Sequence, residues 1–175
     1  MDDSQTLIEL KGIQYIIPAF EMLLDKYPGA LLVLANATGD YQNEIKKLLK
    51  KLPEKNYREI RFENNIFALY KLFDVFIHTP IEKYSEAFGQ TYVEALASGI
   101  PSVFTLSGIA NEFIEDRRNA LVVPYKSSTA IYEAILLLLT DTNLASALIA
   151  NGKNDVAEKF QLQKMISSLE ELYLS

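Results

Sequence analysis

Three features are absent or nearly absent from the 175-residue sequence, and each excludes a class of protein. There is no cysteine, which excludes disulfides and thiolate metal sites and favours a reducing compartment. The single histidine, His78, cannot form a metal site by itself. No run approaches 18 consecutive apolar residues, and the polar start (Met-Asp-Asp-Ser) does not resemble a signal peptide. We therefore expect a cytoplasmic protein with no transmembrane segment.

Positive charge is also scarce. The chain has 17 Lys and Arg against 23 Asp and Glu, for a formal net charge of −6. Nucleic acids and anionic membranes are bound by clustered Lys and Arg, so we expect no nucleic-acid partner. The lysine pairs at 46–47 and 50–51 are expected on the solvated face of a helix. A hydrophobic content of 49% is sufficient for a core, and the length predicts a single domain over residues 1–175.

Short apolar runs alternate with stretches of helical periodicity along the chain. Residues 13–26 repeat apolar side chains at helical spacing, and residues 30–35 form an apolar run typical of a strand buried on both faces. Further strands are predicted at 59–62, 74–78, 102–105 and 121–123, with a strand at 7–10 at most, and further helices at 41–51, 66–72, 110–115 and 129–139. From residue 143 onward we predict two or three helices with a break near Asn151-Gly152, including a C-terminal helical segment over about 153–175. This alternation predicts an α/β fold with a doubly wound, Rossmann-like parallel sheet and extra C-terminal helices.

In such sheets ligands bind beyond the carboxyl ends of the strands, where the loops at 36–40, 63–65, 79–89, 106–111 and 124–127 fall. Residues 85–101 are the most informative stretch, because Glu86 precedes a turn at Gly89 and a helix that carries Glu94. A helix N-terminus behind a glycine turn attracts anions, since its first N–H groups have no intrahelical partner. We therefore predict a phosphate-bearing ligand in front of residues 89–91, with the two glutamates binding its hydroxyl groups.

Each of these residues also has an ordinary structural interpretation. Thr91 and Glu94 have the spacing of a capping box, in which the two side chains satisfy backbone N–H groups. Glu86 alone is typical of a solvated loop carboxylate, and Lys11 is compatible with solvation at the start of a helix. His78 ends a predicted strand, and a structural role is the more common one for such a histidine.

Several segments in order resemble the C-terminal half of a GT-B glycosyltransferase of the large retaining family called family 4 or group 1. They are Lys11-Gly12, Tyr-Pro-Gly-Ala-Leu at 27–31, Glu-Ala-Phe-Gly-Gln-Thr-Tyr-Val-Glu-Ala-Leu-Ala-Ser-Gly-Ile-Pro at 86–101, Gly-Ile-Ala-Asn-Glu at 108–112 and Asn-Ala-Leu-Val-Val-Pro at 119–124. The resemblance implies one half of a GT-B fold. It also implies transfer of a sugar from a UDP-, GDP- or ADP-sugar to an acceptor hydroxyl with retained configuration, without a metal or other cofactor, as in glycan or cell-envelope polysaccharide biosynthesis.

The resemblance further implies roles for individual residues. Glu94 would accept hydrogen bonds from the ribose hydroxyls, because a vicinal diol offers two donors. Glu86, near the donor sugar, and Lys11, which would neutralise the departing diphosphate, are the catalytic candidates. The other donor-binding candidates are Ala87, Phe88, Gly89, Gln90, Thr91, Gly39, Asn64 and Glu112, the last of which could also simply begin a helix.

The sequence departs from the family pattern near its start. Family members usually carry an arginine where Thr6 stands, and a buried central strand before the Lys-Gly pair. The acceptor-binding N-terminal domain is also missing, so we expect a fragment of a longer enzyme that is inactive alone. We expect the fragment to self-associate through an exposed sheet edge. Any peripheral attachment to a membrane would be made through the missing half. The open alternative is a noncatalytic nucleotide-binding or assembly module on the same fold, and an epimerase is disfavoured by the single histidine.

Overall fold

The computed structural model of the protein describes residues 7–174, apart from the side chain of residue 168. Five parallel strands form two groups: β1 (Leu32–Ala35) pairs with β2 (Tyr57–Ile60), and β3 (Phe76–His78), β4 (Ser102–Phe104) and β5 (Leu121–Val122) pair in that order. Each pair is parallel, so each connection is a crossover, as the alternating pattern predicted. The predicted α/β class is confirmed.

Helices connect the strands and continue beyond the last one. They are α1 (Ile13–Leu24), α2 (Gln42–Leu49), α3 (Ile66–Tyr70), α4 (Gln90–Ser98), α5 (Ala110–Phe113), α6 (Ser128–Thr140), α7 (Thr142–Lys159) and α8 (Leu162–Leu174), with 3-10 turns at Glu9–Lys11 and Glu54–Asn56. The helices α2 to α5 each follow one strand and lead to the next, which places the loops before α2 and α4 at the carboxyl ends of β1 and β3. The loops that carry most of the predicted site residues therefore lie at the same end of the strands.

The core consists of two hydrophobic clusters. One is built mainly by α1 and α6 and includes Ile17 and Ile131, each 1% exposed. The other includes Tyr92 of α4 and Phe104 of β4, both fully buried, together with part of α3. Fully burying one such side chain stabilises the fold by roughly 2 kcal/mol. Both clusters include strand residues, so they pack the helices against the strands.

Several predicted element boundaries differ from the observed ones, and two of the differences are informative. The strand predicted at 59–62 begins two residues earlier, at Tyr57. The break predicted at Gly152 does not occur, because α7 runs without interruption from Thr142 to Lys159. A Cβ on Gly152 would lie 2.9 Å from the Cδ2 atom of Leu96, so this glycine lets α7 approach α4 closely. The C-terminal helices accordingly begin well before residue 153.

The start of the described chain also differs from the prediction. Residues 7–10 do not form a strand, because the 3-10 turn Glu9–Lys11 takes up the second half of that stretch and ends at Gly12, whose φ is 75°. Leu7 is fully buried; its N–H donates to the Thr38 carbonyl at 2.9 Å, and its own carbonyl accepts from the N–H of Tyr41. Thr6, the departure from the family pattern, lies outside the described residues.

The C-terminal helices expose several apolar side chains. On α8, Leu162 is 66% and Tyr173 84% exposed. Within residues 7–174 no single helix is long and apolar enough to cross a membrane. The segments Ser128–Thr140 and Thr142–Leu174 taken together have the length and the apolar composition of a membrane span, but the chain bends by 99° between them.

Candidate active site

A cavity of about 2100 Å³ opens at the carboxyl ends of β1 and β3. Lys11, His78 and Glu94 line it, together with the continuous stretch 84–91 that leads into α4. The predicted site residues Glu86, Ala87, Phe88, Gly89, Gln90 and Thr91 all belong to that stretch. The cavity therefore lies where ligands bind in parallel α/β sheets.

Lys11 and Glu86, which both line the cavity, form an ion pair. The Lys11 Nζ lies 2.8 and 3.0 Å from the two carboxylate oxygens of Glu86, and the side chains are only 16% and 9% exposed. Gly12, the next residue, lets the backbone beside Lys11 lie against Thr79 after β3, because a Cβ there would lie 1.9 Å from the Thr79 carbonyl oxygen. Burial raises the pKa of Glu86, but the Lys11 ammonium, which donates to both carboxylate oxygens, favours the charged form and the net shift of the pKa is downward, so the carboxyl group stays ionised at neutral pH.

His78 lies directly behind this ion pair. Its Nε2 is 3.2 Å from Oε1 of Glu86, although the two are not aligned for a hydrogen bond, and Nε2 has no other partner within residues 7–174. The imidazole packs edge to face on Tyr92, with 4.7 Å between ring centroids, and the Tyr92 hydroxyl donates to the Thr105 carbonyl. Burial lowers the pKa of His78, so the ring is neutral at pH 7. The sequence indicated a structural histidine but not its contact with Glu86.

The loop that carries Glu86 is fixed from behind by the loop after β4. The Glu86 N–H donates to the Ser107 hydroxyl at 3.0 Å, and the Ile109 N–H donates to the Phe88 carbonyl at 2.8 Å. Gly108 has φ 55°, and a Cβ there would lie 2.6 Å from the same Phe88 carbonyl. These contacts hold the Glu86 backbone at the cavity, and no motif in the sequence pointed to Ser107.

The helix α4 begins at the cavity without a side-chain cap. Gly89 is the residue before its first turn, with φ 88°, and a Cβ there would lie 2.8 Å from the Tyr92 ring. The capping-box interpretation of Thr91 and Glu94 is wrong, because the helix starts at Gln90 and no side chain accepts from its first N–H groups. The N–H groups of Gln90 and Thr91 have no acceptor in the described chain, which leaves them available to an anion.

Glu94 lies one turn further along α4 and is oriented by two donors. Its Oε1 accepts from the Gln90 side-chain amide at 2.9 Å, and its Oε2 accepts from the Tyr70 hydroxyl at 3.2 Å. Burial and the neighbouring Glu94 raise the pKa of Tyr70, so the phenol stays protonated and keeps donating. Tyr70 comes from α3, and sequence reasoning did not identify it, since the two residues are 24 positions apart.

Three of the predicted donor-binding residues do not line the cavity. Gly39 packs against the backbone near the start of the chain, Asn64 is exposed in its loop, and Glu112 lies on the exposed face of α5. Asp40 and Glu63, the direct neighbours of the first two, do line the cavity. The structure therefore brings Lys11, Glu86 and Glu94 together in the cavity wall. It leaves Gly39, Asn64 and Glu112 outside that wall.

The assembled groups suit a ligand that carries both an anion and hydroxyl groups. Lys11 and the uncapped start of α4 attract negative charge, while the carboxylates of Glu86 and Glu94 accept from hydroxyl groups. No set of three His, Asp or Glu side chains in the described part of the chain is arranged to hold a metal ion. Lys11, Arg58 and the N-terminus of α4 are the positively charged groups that line the described cavity.

Comparison with known families identifies the one to which the chain belongs. Residues 4–155 match the family described as Glycosyl transferases group 1. The chain belongs to this family. It is 29% identical over 166 residues to an uncharacterized glycosyltransferase, MJ1607, of Methanocaldococcus jannaschii, covering 93% of this chain and 41% of that protein. It is 25% identical over 168 residues to the capsular polysaccharide biosynthesis glycosyltransferase CapM of Staphylococcus aureus, covering 95% and 43%. The chain thus spans about two fifths of the length of these relatives.

Solved structures agree with the family. The C-terminal domain of the group 1 glycosyl transferase LpcC from Francisella tularensis superposes with a TM-score of 0.78 at 28% identity, covering 90% of this chain and 83% of that one. Anabaena HepE, solved with UDP and glucose, superposes with a TM-score of 0.86 at 24% identity, covering 97% and 46%, a likeness that concerns the fold. The expectation of one Rossmann-like half of a GT-B glycosyltransferase, similar to the C-terminal domain, is confirmed.

Proposed function

We propose that this chain is the nucleotide-sugar-binding domain of a retaining glycosyltransferase of the hexosyltransferase type. The observation that carries the proposal is the Lys11–Glu86 ion pair beside the uncapped start of α4, with Glu94 in the same cavity. Supporting it, HepE has been solved with UDP and glucose, and CapM is a glycosyltransferase of capsular polysaccharide biosynthesis. The donor is a UDP-, GDP- or ADP-sugar.

In the proposed complex the diphosphate lies at the start of α4. The backbone N–H groups of Gln90 and Thr91 donate to phosphate oxygens, and the positive end of the helix dipole favours the negative charge. Lys11 exchanges one of its contacts with Glu86 for a phosphate oxygen. Glu94 accepts from the ribose hydroxyls with the lone pairs that Tyr70 and Gln90 leave open, because each carboxylate oxygen can accept more than one hydrogen bond.

The chemical contribution of this half is positioning and charge stabilisation. As the bond between sugar and phosphate breaks, negative charge grows on the leaving diphosphate, where Lys11 and the α4 N–H groups are already oriented. Glu86 faces the donor sugar and holds it through its hydroxyl groups. The proposed reaction requires no metal, because the lysine and the helix start supply the positive charge that the departing phosphate needs.

We assign acceptor binding to the part of the polypeptide that completes the relatives' length. The 175-residue chain alone is expected to bind nucleotide without transferring sugar, since acceptor positioning and closure of the cleft need that second part. In the cell the complete enzyme would build a glycan or cell-envelope polysaccharide, on the cytoplasmic side and with any membrane attachment made by the other half.

Thermal unfolding with UDP, GDP and ADP tests the proposal, with uridine as the ligand that lacks phosphate. At about 100 times Kd the matching nucleotide should raise Tm by roughly 5–10 °C. Glu94→Gln should remove most of that shift, because an amide accepts from the ribose hydroxyls less well than a carboxylate. Glu112→Gln, a glutamate outside the cavity, is the matched control and should keep the full shift. No shift with any of the three diphosphates at millimolar concentration would refute the proposal.

The second candidate, a noncatalytic binding module, is favoured by one observation. Thr6 stands where the family usually has a second cation, which leaves Lys11 as the cation that contacts Glu86 among the described residues. This candidate predicts nucleotide binding without sugar release or transfer in the complete protein, even when acceptors are supplied. Transfer by the complete protein, measured with a labelled donor, would eliminate it.

A further inference from the structure

His78 presents a buried polar atom that the proposed donor complex does not use. Its imidazole is 10% exposed, and the Nε2 atom is buried with no hydrogen-bond partner within residues 7–174. Oε1 of Glu86 lies 3.2 Å from this atom. Leaving a buried polar group unpaired is unfavourable, so an unpaired atom beside a ligand cavity points to a partner that is gained when the site changes.

The neighbouring carboxylate determines which nitrogen of the neutral ring carries the hydrogen. An ionised carboxylate can only accept hydrogen bonds, and so can a ring nitrogen that has no hydrogen. Two acceptors at 3.2 Å would repel each other, so Nε2 is the nitrogen that carries the hydrogen. His78 therefore presents an N–H donor to Glu86, although the two groups are not aligned for a hydrogen bond in this structure.

The imidazole is held in place by the residues around it. It packs edge to face on the fully buried Tyr92, and the Tyr92 hydroxyl donates to the Thr105 carbonyl at 2.8 Å. The backbone of His78 belongs to β3, and its carbonyl accepts from the Thr105 N–H at 3.3 Å. The ring is therefore the fixed partner, and alignment of the two groups requires a movement of the Glu86 carboxylate.

The orientation of the Glu86 carboxylate is set by Lys11. The ammonium lies 2.8 Å from Oε1 and 3.0 Å from Oε2, so it holds both oxygens at once. Rotation about the last bond of a glutamate side chain is soft, so the carboxylate can turn when one of these contacts is given up. Oε1 is the oxygen that lies beside a second donor, the Nε2–H of His78.

We propose that His78 is a positioning residue that replaces Lys11 as the donor to Oε1 of Glu86 when the lysine turns to the phosphates. The inference rests on the proposed function, which supplies the anion that draws Lys11 away. The contact that Lys11 gives up is the one to Oε1, because that oxygen has a second donor beside it. With Oε1 bonded to His78, the carboxylate stays fixed, and Oε2 can accept from a hydroxyl group of the donor sugar.

A neutral donor is well suited to this place. Burial lowers the pKa of His78, and the charge of Lys11 lowers it further, so the ring stays neutral although Glu86 acts in the opposite direction. A neutral N–H bonds to a carboxylate oxygen without cancelling the negative charge of the carboxylate. Glu86 therefore keeps its charge, and with it a strong acceptor for the hydroxyl groups of a ligand.

Because His78 is the only histidine, NMR of an untagged 175-residue chain labelled with ¹⁵N-histidine reports on this ring alone. At pH 7 the free protein should show the hydrogen on Nε2. Lys11→Met removes the ammonium and keeps an apolar stem, so it should move the Nε2–H proton signal downfield without any ligand, because Oε1 is then free to bond to His78. Lys47→Met, at an exposed lysine of α2, is the matched control and should leave the signal unchanged.

The second arm of the experiment uses UDP-glucose, GDP-mannose and ADP-glucose. The nucleotide sugar that binds to the unchanged chain should move the Nε2–H signal in the same direction as Lys11→Met does. His78→Phe keeps a ring against Tyr92 but has no donor, so its affinity for that nucleotide sugar should be about tenfold lower, the loss of one hydrogen bond to a charged group. His78→Gln has an N–H donor and should recover most of the affinity.

Three outcomes would overturn the proposal. One is a hydrogen on Nδ1 instead of Nε2, and another is an Nε2–H signal that does not respond to loss of the Lys11 ammonium, which would mean that Nε2 has another partner, such as a buried water. The third is an equal loss of affinity in His78→Phe and His78→Gln, which would mean that only the packing of the ring matters. Lys11→Ala repeats the first arm if Lys11→Met does not fold. If no nucleotide sugar binds, the proposed function fails, whereas the ligand-free arm still decides whether His78 replaces Lys11.

Discussion

Glu86 and Asp155 are both buried carboxylates beside a basic side chain, at 9% and 6% exposure, but their surroundings differ. Asp155 accepts two bonds from the Arg118 guanidinium, at 2.7 and 2.8 Å, and a third from the Asn119 amide at 2.7 Å. Burial raises the pKa of Asp155, and these donors lower it by more. Glu86 has Lys11 alone as an aligned side-chain donor among the described residues.

The difference between the two carboxylates is the one expected between a structural group and a ligand-binding one. The planar guanidinium binds both Asp155 oxygens in a fixed geometry, and the Asn119 amide also donates to the Phe113 carbonyl at 2.8 Å. That cluster fastens α7 to the chain before β5. The Lys11 ammonium, on a flexible stem, can exchange one acceptor for another without unfolding anything. A carboxylate held by a single exchangeable lysine is suited to a site that must admit a ligand.

The largest expected effect is a loss of nucleotide affinity when Lys11, the partner of Glu86, is replaced. In Lys11→Ala the diphosphate loses a charged partner, so nucleotide affinity should fall about 10- to 100-fold, given roughly 1.5–3 kcal/mol for a hydrogen bond to a charged group. Isothermal titration with the nucleotide that gives the largest Tm shift measures it. Lys47→Ala, on the exposed face of α2, is the control and should bind normally. Equal affinities in all three proteins would mean that Lys11 does not contact the phosphates.

Asp155→Ala should lower the stability of the fold without changing the affinity for nucleotide. It removes the bonds from Arg118 and Asn119, so the free energy of unfolding should fall by about 2 kcal/mol. Urea titration measures that loss, and nucleotide affinity per folded molecule should be unchanged. If this variant binds nucleotide more weakly while remaining folded, the two carboxylates are coupled and the division between them is wrong.

The pH dependence of stability should isolate His78. Burial lowers its pKa in the native state, so below the ordinary value of 6.5 the unfolded chain binds a proton that the native chain does not. Stability is therefore fully present above pH 6.5 and decreases as the pH falls, by at most about 1.4 kcal/mol per pH unit. His78→Gln should flatten the curve between pH 6.5 and about 5, above the range in which Glu86 and Asp155 titrate. An unchanged slope in urea titrations at those pH values would contradict the buried neutral imidazole.

The smallest effect is expected for Gly89→Ala. Its positive φ and the close Tyr92 ring should lower the free energy of unfolding by about 1 kcal/mol and displace the start of α4. Gly29→Ala is a matched control, because a Cβ there has no heavy atom within 4 Å, and its stability should hardly change. Thermal unfolding and nucleotide titration of the pair will show whether the turn geometry matters for binding. Identical results for the two variants would argue against it.

The sequence predicted the local half of the site and missed the half that depends on tertiary contacts. Glu86 and Glu94 were identified because one continuous stretch carries them, and the strand-helix alternation was strong enough to predict the fold class. Tyr70, Ser107 and the His78 contact lie on other elements, and nothing in the spacing of these residues indicates that they meet. Local reasoning also failed at Gly152, since a glycine that admits a neighbouring helix has the same sequence signature as one that breaks a helix.

The Lys11–Glu86 ion pair also bears on ligand discrimination. Without donor, each charge already neutralises the other, so a lone phosphate that takes Lys11 leaves a buried carboxylate without its partner. A sugar diphosphate offers an oxyanion to the lysine and a hydroxyl to the glutamate in the same molecule, and it replaces both contacts at once. We therefore expect the site to bind inorganic anions weakly, and to bind the sugar diphosphate more tightly than the nucleoside diphosphate alone.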